Sequence, residues 1–335
     1  MIEAARLVLE SLRAAGDLPR SGEELSAQLG VSRAQVWKHV STLRKRGYSI
    51  DGTPGGGYRL VGIPDRLYAE EVGQGLKTSW LGRVIHHLEE IDSTNRVAAD
   101  LARSGASHGT AVIAEAQTAG RGRHGRSFFS PPNTNLYTSI VLRPDLETTS
   151  APTLLLVAGV AVAETVLEWL GDSAQLEIKW PNDVLLGGLK TSGILMELGA
   201  EENRVSHAIL GIGVNLNVDR KEFPEEFRQR ATSLYSHSAQ RVDRVAFTRR
   251  LYEILEEVLE EHARGGLARL RPRFEKHFLM QGRKITVEEV GGGRIEGIAA
   301  GIAANGALQV DLPSGGQIEV LAGDVTICKD EPAKE

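Results

Sequence analysis

The apolar spacing of this 335-residue chain changes twice along its length, so no single repeated architecture accounts for it. Ile2, Ala5, Val8, Leu9 and Leu12 recur at helical spacing until Gly16 and Pro19 stop the pattern. Ser21 with Glu24 forms a capping box ahead of Leu25 and Leu29, Gly30 turns the chain, and Ser32 caps a third helix running towards Gly47. In that helix Val36, Val40 and Leu43 share one face, Lys38, Ser41 and Lys45 project on the other, and Arg33, Gln35, Trp37 and Arg44 lie along the flanks. Residues 48–50 and 58–60 bracket a glycine-rich loop as a two-stranded wing. The pattern predicts a winged helix-turn-helix over residues 1–64, a boundary at Pro64 and Asp65, and a connecting helix in the next fifteen residues.

From 65 to 282 strands and helices mix. Residues 84–88, 110–114, 136–142, 176–180, 194–198 and 208–215 read as strands, and 154–170 and 245–262 as helices. This is an α+β domain expected to carry helices on one face of a large sheet. From Lys284 the runs ITVEEV, RIEGIAAGI, GALQVDL, GQIEVL and DVTI alternate with glycine turns, which makes 283–335 a small β-barrel candidate. The fold class is multidomain α+β.

With 41% hydrophobic and 25% charged residues, the chain is rich enough in apolar side chains for a sizeable core and excludes disorder throughout. One cysteine, Cys328, excludes a disulfide framework and a thiolate metal cluster, and suits a reducing cytosol. No uninterrupted apolar run is read as an export signal or membrane span. The formal charge of −5 hides a local excess, because residues 1–64 hold nine Lys or Arg against six acids. A basic helix behind a tight turn suits the DNA major groove, with Arg33, Gln35, Lys38, Ser41, Arg44 and Lys45 as candidate contacts. A helical packing or dimerisation module with a hydrated basic face satisfies the same pattern.

The densest chemical signal is GRGRHGR, residues 120–126. Glycine permits a tight path and arginine supplies forked donors, so the segment suits an anionic ligand; it matches neither a P-loop nor a GxGxxG fingerprint. A flexible basic surface loop is the plainer alternative. Lys179 to Asp183, KWPND, falls where a strand should end. Lys190 is either a cation for an attacking carboxylate and a phosphoryl centre or an exposed loop lysine. Asp183 either handles an amine proton or caps a turn. Asn215, in GIGVNLN, either faces a ligand or satisfies a turn.

Together SRAQVWKHVSTLRKRGY, DSTN, AGRGRHGRSFFSPPNTNLY, KWPNDVLLGGLKTSGILMEL, GIGVNLN and the terminal β-segment make the chain resemble the bifunctional biotin protein ligase and biotin operon repressor family over nearly its whole length. The resemblance implies a class II synthetase-like mixed-sheet ligase domain, an SH3-like C-terminal barrel, and the activity of a biotin-[acetyl-CoA-carboxylase] ligase. Biotin and ATP, with Mg2+ on the phosphates, give biotinyl-5'-adenylate, and a lysine of a biotin carboxyl carrier domain then takes the biotinyl group. It implies polar contacts to biotin from Ser93, Thr94 and Gln117, with Asn95 supporting them. Gly120, Arg121 and Gly193 are implied at the substrate, and Arg123, Lys190 and Asp183 as catalytic. Arg126, Phe128, Trp180, Asn182 and Asn215 are implied on the adenylate side; no protein side chain is assigned to a metal. It implies adenylate as corepressor, ligand-promoted homodimerisation through sheet edges, operator double-stranded DNA as a second partner, a cytoplasmic location and no membrane. His124 stands where arginine is frequent and Phe128 where some members have tryptophan, which changes charge and stacking without removing a catalytic group. A ligase whose winged helix is non-regulatory, an inactive ligand-responsive transcription factor and a lipoate ligase are the competing readings.

Overall fold

The computed structural model describes residues 3–53, 55–172, 174–289 and 292–328, so Ile2, Val290 and residues 329–335 of the expected elements lie outside it. The chain divides into two units, Met1–Arg66 and Leu67–Glu335. In the first, α1 (Glu3–Ala14), α2 (Gly22–Leu29) and α3 (Arg33–Lys45) precede the antiparallel strands β1 (Ser49–Thr53) and β2 (Gly57–Gly62). Both capping boxes are formed, Ser21 with Glu24 and Ser32 with Gln35. Ala5, Val8, Leu9, Leu12, Leu25, Val36, Val40 and Leu43 are buried and make the small core. Gly57 lets the wing approach the chain before α2, because a Cβ there would lie 2.6 Å from the Arg20 carbonyl oxygen.

The expected connecting helix is short: α4 (Ala69–Gly73) has five residues, and Gly73 and Gly75, the latter at φ +77°, end it. There follow β3 (Ile85–Ile91), α5 (Thr94–Arg103), β4 (Ala111–Gln117), β5 (Leu136–Leu142), α6 (Thr153–Leu170), β6 (Leu176–Lys179), β7 (Asp183–Leu186), β8 (Leu189–Glu201) and β9 (Arg204–Val214). The short α7 (Glu225–Arg228) and α8 (Leu234–Ser238) lead to α9 (Arg244–Glu275), which is broken at Gly265 and Gly266. The seven strands form one sheet in the order β3-β4-β5-β9-β8-β7-β6, parallel only between β3 and β4.

Strand alternation gives this sheet two buried faces. Ile113, Ile140 and Leu210 face α6 and α9, whereas their neighbours Val112, Val141 and Ile209 pack with Ala98 and Ala102 of α5. The single-faced arrangement expected from sequence is therefore incomplete: α5 covers part of the opposite face, and its N-terminus borders the cleft described below. Residues 148–170, with mean hydropathy 1.8, have the length and composition of a membrane span, but 72% of that window is buried in the protein core.

Strands β10 (Lys284–Glu289), β11 (Arg294–Ile302), β12 (Leu308–Asp311), β13 (Gln317–Val320) and β14 (Gly323–Ile327) form an antiparallel sheet in the order β13-β12-β11-β10-β14. Its apolar face, including Ile285, Val287, Leu308, Val310 and Val325, continues the core of the large sheet, which places both in one unit.

Candidate active site

A cleft of about 1020 Å³ runs over the α5 face of the large sheet and ends against β14. Its floor is bare because Gly193 pairs with Gly213, and Gly211 is two residues along the same strand. A Cβ on Gly211 would lie 2.1 Å from Asn95 Oδ1, and one on Gly213 would lie 2.6 Å from the Phe128 ring. Both contacts are shorter than carbon packing allows, so the close approach of Asn95 and Phe128 requires glycine.

At the inner end the groups are neutral, and all but the half-buried Gln117 are buried. Ser93 precedes α5, and Thr94 and Asn95 open it. Thr94 donates to Gln117 Oε1 from its backbone N (2.9 Å) and from Oγ1 (3.1 Å), and Gln117 Nε2 donates to Ser130 Oγ (3.1 Å). Ser139 Oγ lies 2.8 Å from Thr94 Oγ1 and 2.6 Å from Asn95 Oδ1. Asn95 Nδ2 is buried without a protein acceptor, a donor that a ligand's polar group can satisfy. Ser139 was missed from sequence; its signal is a hydroxyl inside the apolar run LYTSIVL, on the same face as Val141.

The strand carrying Gln117 is anchored below by Glu115, which is buried. Glu115 accepts from Arg244 Nη1 (2.9 Å) and the backbone N of Leu67 (2.7 Å), and meets His87 Nε2 at 3.3 Å. Burial raises the carboxyl pKa, but His87, Arg244 and the Leu67 amide together outweigh it and bring the value to about 2.

The outer end is cationic. Residues 120–128 fold back on themselves, with Phe128 N donating to Gly120 O (2.9 Å) and Gly122 N to Arg126 O (2.7 Å). Gly120 is required, since a Cβ would lie 2.6 Å from both Phe128 O and Ser130 Oγ. The turn at Arg123–Gly125 puts His124 at φ +55° and aims Arg123 at the cleft wall. Arg123 Nη1 donates to Gly323 O (3.1 Å) and Asp324 Oδ1 (3.4 Å), and reaches Asn182 Oδ1 at 3.5 Å. Arg126 Nη2 is 2.5 Å from Asp324 Oδ2. Arg121 lines the cleft but is exposed. Burial lowers the Arg123 pKa, opposed by Asp324 and Asp183.

Lys190 Nζ lies 2.6 Å from Asp183 Oδ1, although Asp183 Oδ1 receives no well-angled hydrogen bond; the contact is an ion pair by proximity. Lys190 is not the exposed loop lysine of the plainer alternative, since it is half-buried in β8 opposite Leu185, and Asp183 begins β7 opposite Lys179. Lys179, the first residue of KWPND, also lines the cleft, and burial lowers its pKa against the opposing effect of Asp183. Phe128 lies over Gly193 and Gly213, edge-on to Tyr137 at 6.4 Å.

Several expected contacts have internal partners. Trp180 is buried and its indole N–H donates to Gly306 O (2.9 Å), joining the two sheets. Asn182 Nδ2 donates to Ile194 O (2.7 Å), and Asn215 Nδ2 to Thr232 O (3.1 Å). Among the described residues no group of three or more His, Cys, Asp or Glu can hold a metal ion. On α3, Arg33, Lys38 and Lys45 are exposed and Ser41 is half-buried. Gln35 Oε1 caps the helix, and Arg44 donates to Ile50 O at 3.0 and 2.6 Å, which ties the helix to the wing.

A bare-floored cleft with a neutral buried end and a cationic end fits a ligand that is uncharged at one end and anionic at the other. Family models match in the same places: the biotin/lipoate A/B protein ligase family over residues 88–215, an HTH domain over 5–59 and the biotin protein ligase C-terminal domain over 281–327. The bifunctional ligase/repressor BirA of Bacillus subtilis is 36% identical over 308 residues, which are 92% of this chain and 94% of that protein. The chain belongs to the bifunctional biotin ligase/repressor family. The Escherichia coli BirA is also 36% identical, over 91% of this chain and 92% of its own length. The biotin protein ligase from Aquifex aeolicus in complex with biotin and ATP is similar in structure, with TM-score 0.63 and 30% identity, over 74% of this chain and all of that one. The family ligase region and HTH domain thus coincide with the cleft and with the helix-turn-helix unit.

Proposed function

We propose that this ligase/repressor makes biotinyl-5'-adenylate from biotin and ATP and transfers biotin to the ε-amine of a biotin carboxyl carrier lysine, in the cytosol. The observation that carries the reading is the continuity of the cleft from the Thr94–Gln117–Ser139 hydrogen-bond cluster to Arg123 and Lys190. The ureido ring occupies the neutral end, so the valeryl carboxylate points to the cations. Its oxygen attacks the α-phosphorus and the bond to pyrophosphate breaks. Lys190 and Arg123 offset the charge that gathers on both oxygens. As Lys190 moves onto carboxylate and phosphate it leaves Asp183, which then receives a proton from the incoming ammonium. The neutral amine attacks the acyl carbon and AMP departs. Gly193 leaves the Lys190 side chain room to move, since a Cβ there would lie 3.0 Å from Lys190 Cε.

Mg2+ accompanies the nucleotide. Among the described residues no group of carboxylates and imidazoles is placed to hold a metal ion, so the ion would be held by the nucleotide's phosphates and would reduce their charge. Adenylate is the corepressor: it orders the 120–128 loop, promotes a homodimer through sheet edges and thereby sets two winged helices on operator half-sites. Arg33, Lys38 and Lys45 face the DNA.

Purified protein with biotin, ATP-Mg and a carrier domain should add one biotin mass to one carrier lysine; lipoic acid in place of biotin should add none. An unmodified carrier with no free adenylate defeats the ligase reading. Sedimentation without ligand, with biotin and with adenylate checks the dimer, and unchanged assembly removes ligand control.

A further inference from the structure

The C-terminal sheet lines the cleft with Glu288 and Asp324, and Asp324 is the one set against the arginines of the loop. Asp324, in β14, meets both arginines of a loop 200 residues earlier: Oδ1 lies 3.4 Å from Arg123 Nη1, and Oδ2 lies 2.5 Å from Arg126 Nη2. His124 Nε2 approaches the same group at 3.9 Å. Each carboxylate oxygen faces a different guanidinium, the arrangement that two arginines adopt around a phosphoryl group. We infer that Asp324 is a resident anion, occupying the loop arginines until the triphosphate of ATP displaces it. This deepens the ligase reading and rests on it.

The charges set which ligand performs the exchange. A biotin carboxylate carries one negative charge, as Asp324 does, and Asp324 has the advantage of being tethered beside the arginines. A triphosphate carries more charge and more acceptor oxygens, and so takes the guanidinium donors away. Biotin alone therefore leaves the loop latched to β14, whereas the triphosphate of ATP displaces Asp324 and hands Arg123 to the reacting centre. Asp324 is in this sense a positioning residue, and the C-terminal sheet registers the phosphoryl state of the cleft.

The test compares full-length wild type with Asp324→Asn. The neutral variant should show an ATP KM on the order of fivefold lower in adenylate formation, with the biotin KM unchanged. Limited trypsin cleavage at Arg121, Arg123 and Arg126 should be faster in the ligand-free variant than in ligand-free wild type, and biotin alone should leave the wild-type rate as it was. An ATP KM that is unchanged or raised overturns the inference, because Asp324 would then only orient Arg123. Should the variant fail to fold, hydrogen exchange of wild-type residues 323–327 decides: faster exchange with ATP-Mg but not with biotin supports release, and equal exchange overturns it. Absence of adenylate in wild type would instead strike the ligase reading, and the exchange response to ATP-Mg would still decide the role of Asp324.

Discussion

The two ends of the cleft are built by different means. The inner end is a set of neutral hydrogen bonds among Thr94, Asn95, Gln117, Ser130 and Ser139 with one donor, Asn95 Nδ2, left open, and it rests on the buried Glu115–Arg244 pair. The outer end consists of ion pairs, Lys190 with Asp183 and Arg123 and Arg126 with Asp324, on side chains that are partly open to water. A buried neutral network costs much to rearrange, since each broken bond strands a polar group, whereas exposed ion pairs exchange partners cheaply. Recognition is therefore fixed in advance at one end, and chemistry proceeds by substitution of partners at the other.

The largest effect is expected where the inner end is founded. Glu115→Ala leaves Arg244 buried without its carboxylate and should cost about 3–5 kcal/mol of stability near neutral pH, read by urea unfolding. The sign with pH follows from the depressed carboxyl. Its stabilisation is present above the ordinary carboxylate range and is lost as pH falls from there towards about 2, so wild type should lose stability over that window and Glu115→Gln should lose less. Next is Lys190→Ala, expected to slow adenylate formation by about 100- to 1000-fold while leaving biotin binding nearly intact, measured by rapid quench and by calorimetry. Equal damage to both quantities would erase the distinction between the ends. Thr94→Val removes one buried hydrogen-bonding group and should weaken biotin by about tenfold without slowing the chemical step at saturation. The smallest change is Arg126→Ala, about two- to threefold in adenylate release, because its side chain is 66% exposed.

How much of this was legible in the sequence differs along the chain for physical reasons. Leu136–Leu142 was read with its observed bounds because its aromatic, β-branched and aliphatic residues are bounded by Asn135 and Arg143. The capping box of Ser21 and Glu24 and the cap at Ser32 were equally plain, since they depend on residues close in sequence, whereas the part Gln35 plays in the second box was not read. Helix α5 was missed although Val97, Ala98, Leu101 and Ala102 recur at helical spacing; the strands it packs against, through Val112, Val141 and Ile209, are distant in sequence. Strand β7 was hidden by its length of four residues between Asn182 and a glycine turn. Within the site, Arg123, Lys190 and Asp183 came from local motifs, and the structure brings them to one wall. Ser139, Lys179 and Asp324 were not found because their meaning depends on what faces them across the cleft. Gln35 and Asn215 show the converse, as polar residues that looked available for ligands but hold the fold together.

The bare floor beneath Phe128 and Asn95 sets how this cleft can vary. A pocket lined by side chains can be retuned by one methyl group at a time, trading leucine for valine or valine for alanine. Here the depth is fixed by main chain at Gly193, Gly211 and Gly213, and the smallest possible addition already overlaps a neighbour at two of the three. Gradual adjustment of acyl-ligand size is closed at these positions. A lineage that shifts to another acyl group must alter the roof, through Phe128 and the glycine-arginine loop, while the floor stays as it is.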